Sequence, residues 1–186
     1  MVSILSLWLP ILLSAVVVFV VSSVIHMFLG YHANDYARLP AEDEVMGALR
    51  AFRIPPGEYV MRYAGSGAAM KDAEFVEKAN HGPVAFMTVR PNGIPGMGTN
   101  LALWFLYTVI VGVFSAYVAG RAVGPGADYL SVFRFVGATS FIAYTVAGWQ
   151  DSIWFNRAWS TTLKNTFDGL VYALLTAGTF GWLWPN

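Results

Sequence analysis

The sequence predicts a membrane all-α bundle of four transmembrane helices with a small α+β insertion between helices one and two. Three observations support this fold class. Apolar residues run almost unbroken from Ile4 to Leu29, which exceeds the about 20 residues needed to cross a bilayer core. Of the 186 residues, 56% are hydrophobic and only 12% are charged, about half the charged share of ordinary soluble domains. Most of that charge lies in residues 30–98.

Composition also excludes several classes of function. Lys plus Arg equals Asp plus Glu at 11 each, so the chain offers no basic face for nucleic acid. The absence of cysteine excludes disulfides, thiolate metal sites and cysteine nucleophiles. The start, MVSILSLWLP, has no Lys or Arg ahead of the apolar run. Because that run is also longer than a signal-peptide core, we expect it to be retained.

Residues 1–29 are predicted to form the first transmembrane helix. Pro10 falls in its first two turns, where a membrane helix can absorb a kink with the help of neighbouring groups. Ser22 and His26 are one turn apart and share a face. Polar side chains inside a membrane usually face other helices, so this face is predicted to point into the bundle.

Residues 30–98 are predicted to form a cytoplasmic αβ insertion and linker, with the element order α-β-α-β. Pro40 and the acidic residues after it favour a helix start. The remaining elements are expected at the following positions: a strand at Tyr59–Tyr63, a helix at Lys71–Asn80 and a strand at Val84–Val89.

Residues 99–186 are predicted to form a three-helix transmembrane region with an interfacial segment at 150–166. The spans are expected at Leu101–Ala119, Leu130–Trp149 and Phe167–Trp184. Small residues recur every fourth position on two of these helices, which favours close packing within the bundle or between copies. The predicted partners are therefore the lipid bilayer and a homo-oligomer or membrane complex. The small residues are Gly112, Ala116 and Gly120 on helix two, and Gly169, Ala173, Ala177 and Gly181 on helix four.

The distribution of basic residues predicts the orientation. Residues 30–98 and 150–166 carry nine of the eleven Lys and Arg, and only Arg121 and Arg134 lie on the other side. The positive-inside rule then places both termini outside and residues 30–98 in the cytoplasm. The sequence thus predicts a multi-pass membrane protein, and the resemblance described below implies that the membrane is the bacterial inner membrane.

This orientation brings two histidines and three carboxylates to the inner face. Imidazole and carboxylate suit Zn, Fe or Mn, and such a set could also relay protons. In the alternative, structural interpretation, His26 bonds Ser22 or a carbonyl, and Asp168 pairs with Lys164 one turn before it. The spacing of His26 and His32 matches no compact metal motif, and no catalytic residue is predicted. The candidate metal cluster comprises His26, His32, Asp35, Asp151 and Asp168.

Four stretches carry a resemblance to other proteins: SSVIHMFLGYHANDYARLPAEDEV, GPVAFMTVRPNG, GPGADYLSVFR and LKNTFDGLVYALLTAGTFGWLWP. In these stretches the chain resembles a family of small bacterial inner-membrane proteins with four spanning helices and no assigned activity. The resemblance implies a bacterial source. It implies no activity, cofactor or site residue.

Three functional hypotheses follow from the sequence. The leading one is a non-enzymatic integral membrane protein, a structural, assembly or interaction component that carries a cytoplasmic αβ module. The alternative is a membrane-embedded enzyme or redox component, which would either hold a metal at the inner face or act on a lipid-soluble substrate among Trp149, Trp154 and Trp159. An oligomeric small-solute channel or carrier is the third, although the shortage of charge at mid-helix speaks against it.

Overall fold

A computed structural model describes residues 1–94 and 96–186 of the chain. It is mostly helical and separates into two compact units: Met1–Ala37 together with Gly96–Asn186, and Arg38–Pro95. A short 3-10 turn precedes the first helix. The elements in chain order are α1 (Trp8–Phe28), α2 (Glu42–Ala51), β1 (Gly57–Met61), α3 (Ala73–His81), β2 (Ala85–Val89), α4 (Met97–Ala122), α5 (Tyr129–Thr145), α6 (Trp149–Trp154) and α7 (Trp159–Trp182).

Three helical segments are long and apolar enough to cross a membrane: Ile4–Phe28, Met97–Ala122 and Tyr129–Trp154. They correspond to the first three predicted spans. The last helix, α7, has 24 residues but is not among the three, because polar side chains such as Lys164 and Asp168 occupy its first half. The prediction of four spans is therefore confirmed for three.

The larger unit is held together by packing between its long helices. The α7 helix packs along α5 and α1, and α4 packs against α1 and α5. Close van der Waals packing of the side chains between these helices supplies the main stabilisation of their association. The central buried residues are Leu7, Ile11, Ala116, Ala119, Val132, Val136, Ala177 and Phe180.

The small-residue ridges lie inside this packing. A Cβ atom at Gly120 would lie 2.8 Å from the Val2 carbonyl oxygen, and one at Gly181 would lie 2.7 Å from the Tyr129 ring. A side chain at Gly120 would displace the backbone of the N-terminal segment, and one at Gly181 would displace the Tyr129 ring, so both contacts favour glycine. The ridges thus serve contacts within the chain, and association between copies stays a prediction.

The sequence predicts a separate interfacial segment at 150–166, and the structure differs from this prediction in the second half of the segment. Residues 159–166 form the first two turns of α7, and only α6 is a short separate helix. The break falls at Asn156, which has a left-handed φ of 54°. The two helices are then tied by a 2.6 Å hydrogen bond between Ser152 and Thr162.

The smaller unit contains α2, β1, α3 and β2, which confirms the predicted α-β-α-β order. The two strands pair antiparallel, with Tyr59 opposite Met87, and β1 begins two residues before its predicted start. Asp72 caps α3 by accepting a hydrogen bond from the Phe75 amide. Within residues 38–94 every side chain keeps some contact with solvent, and none is fully buried.

Candidate metal centre and its cavity

His26 stands in the last turn of α1 with one ring nitrogen already engaged. Its Nδ1 atom lies 2.9 Å from the Ser22 carbonyl oxygen. A carbonyl can only accept, so Nδ1 carries the hydrogen and Nε2 keeps its lone pair. This is the carbonyl bond that the structural interpretation expects. It also leaves an exposed imidazole with a free donor atom of the kind that metals bind.

His32 lies beside this imidazole because the chain turns back at the end of α1. The turn contains Gly30, whose φ of 65° falls in the left-handed region that glycine adopts without strain. The rings of His26 and His32 stack with their centroids 4.6 Å apart and their planes 6° apart. Residues that are six positions apart in sequence are thereby brought side by side.

Each ring nitrogen of His32 contacts a carboxylate. Nδ1 lies 2.6 Å from Oδ2 of Asp35, and Nε2 lies 2.8 Å from Oδ2 of Asp168. The Asp168 side chain is only 3% exposed, and its other oxygen accepts a hydrogen bond from the hydroxyl of Tyr31. Packing of α7 against α1 carries Asp168 to this place.

Lys164 completes the cluster from α7. Its Nζ atom donates to Oδ1 of Asp35 at 2.8 Å. The structural interpretation expected Lys164 to pair with Asp168, and that expectation is wrong. Both oxygens of Asp168 are already occupied by Tyr31 and His32, so the lysine bonds the carboxylate on the other side of the imidazole.

The network alters the acidity of its members that lie outside the spans. Burial alone would lower the pKa of His32, but hydrogen bonds to Asp35 and Asp168 outweigh it and raise that pKa above its ordinary value. Hydrogen bonds from Lys164 and His32 lower the pKa of Asp35. Burial and the bond to Asp168 raise the pKa of Tyr31, which stays a neutral donor.

Three of the five candidate ligands come together. One ligand atom from each of His26, His32 and Asp168 lies within 4.8 Å of the other two. Asp35 contacts the cluster through His32. Asp151 takes no part in it: its half-exposed carboxylate pairs with Arg157 at 3.3 Å. The sequence places Asp151 in the candidate metal cluster, whereas in the structure Asp151 lies outside it.

Two imidazoles and one carboxylate make a recognised ligand set. Catalytic zinc uses such three-ligand sites with an open fourth position, and non-haem Fe(II) uses two histidines and one carboxylate. Asp35 lies behind His32 Nδ1, where a carboxylate orients a metal-bound imidazole. An ion about 2.1 Å from each donor requires donors roughly 3.4 Å apart. Binding would therefore draw His26 inward, tilt the stacked rings and displace the His32 Nε2 proton.

A half-open cavity of about 400 Å³ lies beside this cluster. The sequence pointed to Trp149, Trp154 and Trp159 for a lipid-soluble substrate, but Trp104 lines this cavity instead. Its indole donates a 2.9 Å hydrogen bond to Ser22. Tryptophan is common near the start of a membrane span, so the sequence contains no signal that Trp104 in particular lines a cavity. The lining residues are Ser22, Ser23, His26, Met27, Met97, Leu101, Trp104, Tyr144, Asn165, Asp168 and Tyr172.

No model of a known protein family, no curated protein and no solved structure matches this chain.

Proposed function

We propose that the chain is an integral membrane protein with a metal-dependent centre held by His26, His32 and Asp168, and that it acts as an enzyme or redox component. The observation that carries the proposal is the convergence of these three donors from two different parts of the chain. A solvent-accessible imidazole with a free Nε2 faces a carboxylate and a second imidazole. The Asp35–Lys164 pair supports that second imidazole from behind.

The setting of the cluster strengthens this proposal. Ionisable groups buried among membrane helices are costly, and where they occur they usually serve a function. Asp168 is 2% exposed, and it is the one carboxylate among the buried residues that the structure describes, the other buried polar residues being serine and threonine. The nitrogen and oxygen donors favour Zn, Fe or Mn over soft-ligand metals such as Cu(I).

The proposal includes the topology. Because α7 packs along both α1 and α5, each within a candidate span, it would cross the bilayer beside them as the fourth span. The positive-inside rule then supports external termini and a cytoplasmic position for residues 38–95, and the resemblance of the sequence is the ground for proposing the bacterial inner membrane as location. In this arrangement the metal centre lies near the cytoplasmic ends of α1 and α5.

Elemental analysis tests the proposal. The full chain is purified in mild detergent without added metal and examined by mass spectrometry, beside His26→Ala. Matched controls are His81→Ala, which removes an exposed histidine of α3, and Asp151→Asn, which removes a carboxylate outside the cluster. We expect about one Zn, Fe or Mn per chain in the wild type and both controls, and a loss in His26→Ala. Absence of metal from the wild type would overturn the proposal and would favour the assembly and channel hypotheses instead.

A further inference from the structure

The cavity beside the metal centre contains a buried hydroxyl with no partner. Tyr172 lines the cavity and is 4% exposed. Its hydroxyl makes no hydrogen bond to any part of the chain that the structure describes. Buried polar groups are almost always hydrogen-bonded, and each exception calls for an explanation such as a ligand. A neutral phenol can donate one hydrogen bond, so a ligand that satisfies it must present an acceptor.

A second free donor lies in the same cavity. Asn165 lines it, and its side-chain amide has no hydrogen bond within residues 1–94 and 96–186. The serines of the cavity differ, because Ser22 and Ser23 both donate to the Phe19 carbonyl. The unsatisfied groups of the wall therefore include two donors, the Tyr172 hydroxyl and the Asn165 amide, which the oxygen of a ligand can satisfy.

Three aromatic rings form the inner wall. The centroids of Trp104 and Tyr172 are 5.9 Å apart, and those of Tyr144 and Tyr172 are 5.7 Å apart, with the rings steeply inclined to one another. Walls of this kind suit a flat ring, which can stack on one side chain and meet another edge-on. The cavity thus combines aromatic faces with hydrogen-bond donors.

The mouth of the cavity is apolar. Met27 and Met97 are 75% and 69% exposed, and each lies at the end of a candidate span. Flexible thioether side chains adapt to ligands of varied outline. A ligand that enters here would come from the membrane, with its apolar tail left among lipids.

We propose that this cavity binds a quinone, a membrane-soluble planar ring whose carbonyl oxygen accepts from the Tyr172 hydroxyl. The ring lies among Trp104, Tyr144 and Tyr172, and the tail leaves past the two methionines. The presence of a metal beside the quinone ring rests on the proposed function. Binding itself requires no metal, because neither tyrosine nor tryptophan is a ligand.

Binding of a benzoquinone with a ten-carbon tail tests the inference. The full chain, stripped of metal by a chelator, is titrated by calorimetry in detergent. We expect saturable binding at one site per chain, weakened about tenfold in Tyr172→Phe, which lacks only the donor. Tyr117→Phe, which alters an exposed tyrosine of α4, should bind like the wild type. Because the lost hydroxyl has no partner, Tyr172→Phe should fold normally.

Two further probes complete the test. Leu101→Trp fills the cavity and should abolish binding, while the ten-carbon alkane alone should show no saturable site. Equal affinity of wild type and Tyr172→Phe, or equal binding of the alkane, would overturn the inference.

Metal binding and quinone binding are measured separately, so either proposal can fail without the other. Quinone binding in a protein that never carries metal would overturn the proposed function and leave this inference standing. Stoichiometric metal without quinone binding would overturn this inference alone.

Discussion

The Nε2 atom of His32 lies 2.8 Å from Oδ2 of Asp168, although 136 positions separate the two residues in the chain. The contact ties the segment after α1 to the middle of α7. It also sets a basic nitrogen and a buried carboxylate at the distance of a charge-assisted hydrogen bond. The exposed imidazole of His26 beside this pair is the observation that supports the proposal of a metal ion.

Substitution of Asp35 by asparagine tests the support behind His32. The variant keeps the shape of the side chain but replaces a charged acceptor, so the imidazole becomes a weaker and less well oriented ligand. We expect metal affinity to fall about 10- to 100-fold, measured by competition with a chelating dye. Asp151→Asn is the matched control and should leave affinity unchanged. An affinity in Asp35→Asn within twofold of the wild type would remove Asp35 from the site.

The stability of the metal-free protein should depend on pH through the same residues. The pKa of His32 is raised on folding, so its contribution to stability is full below about pH 6.5 and is lost as the pH rises through the raised value. The pKa of Asp35 is lowered, so its contribution is present above the ordinary carboxyl range and is lost as the pH falls through the lowered value. Stability should therefore be greatest in the mildly acidic range between.

Thermal unfolding in detergent with a chelator, measured from about pH 4 to 9, checks this dependence. The Tm of the wild type should fall toward the alkaline end, and His32→Gln should show a flatter alkaline limb. A wild-type Tm that rises with pH across the neutral range would contradict the assigned network.

Gly169 tests the close approach of α7 and α5. A Cβ there would overlap the Thr145 Cγ2 atom and lie 3.2 Å from Tyr144 Cβ. Gly169→Ala should lower the free energy of unfolding by about 1–3 kcal/mol, as overpacked sites do. Adding Thr145→Ser removes the overlapping methyl and should restore part of the loss. Gly178→Ala meets only an ordinary contact at 3.5 Å and should be tolerated; an equal loss there would contradict the packing.

The sidedness of residues 38–95 is a separate prediction. Trypsin should cleave at basic residues such as Arg50 and Arg53 in inverted bacterial membrane vesicles and spare them in right-side-out vesicles, because the positive-inside rule places this unit in the cytoplasm. Immunoblotting of a tagged chain follows the fragments. Cleavage in right-side-out vesicles alone would reverse the orientation.

The sequence was sufficient for features that depend on local composition. The long apolar segments, the α-β-α-β order and the small-residue ridges all follow from patterns within one stretch of chain. The predicted order of the spans also grouped His26, His32 and Asp168, and the structure brings these three residues together. The direction in which each side chain points around its helix could not be predicted from the sequence. Asp151 shares the predicted level but pairs with Arg157 instead.

The remaining members of the network could not be predicted because tertiary packing selects them. The Tyr31 hydroxyl donates a hydrogen bond to Asp168 because the packing of α7 places that carboxylate next to it. Lys164 had a local partner one turn away and a distant one at Asp35, and the occupied oxygens of Asp168 decided between them. The break at Asn156 depends on a backbone conformation that asparagine permits but does not require.

X-ray absorption spectroscopy at the edge of the bound metal tests the central claim most directly. The account predicts a nitrogen and oxygen shell near 2.0–2.2 Å with the outer-shell scattering of two imidazoles in the wild type. In His26→Ala reconstituted with excess metal, the signal of one imidazole should disappear, while His81→Ala should keep both. A wild-type spectrum without imidazole scattering, or one unchanged in His26→Ala, would contradict the site.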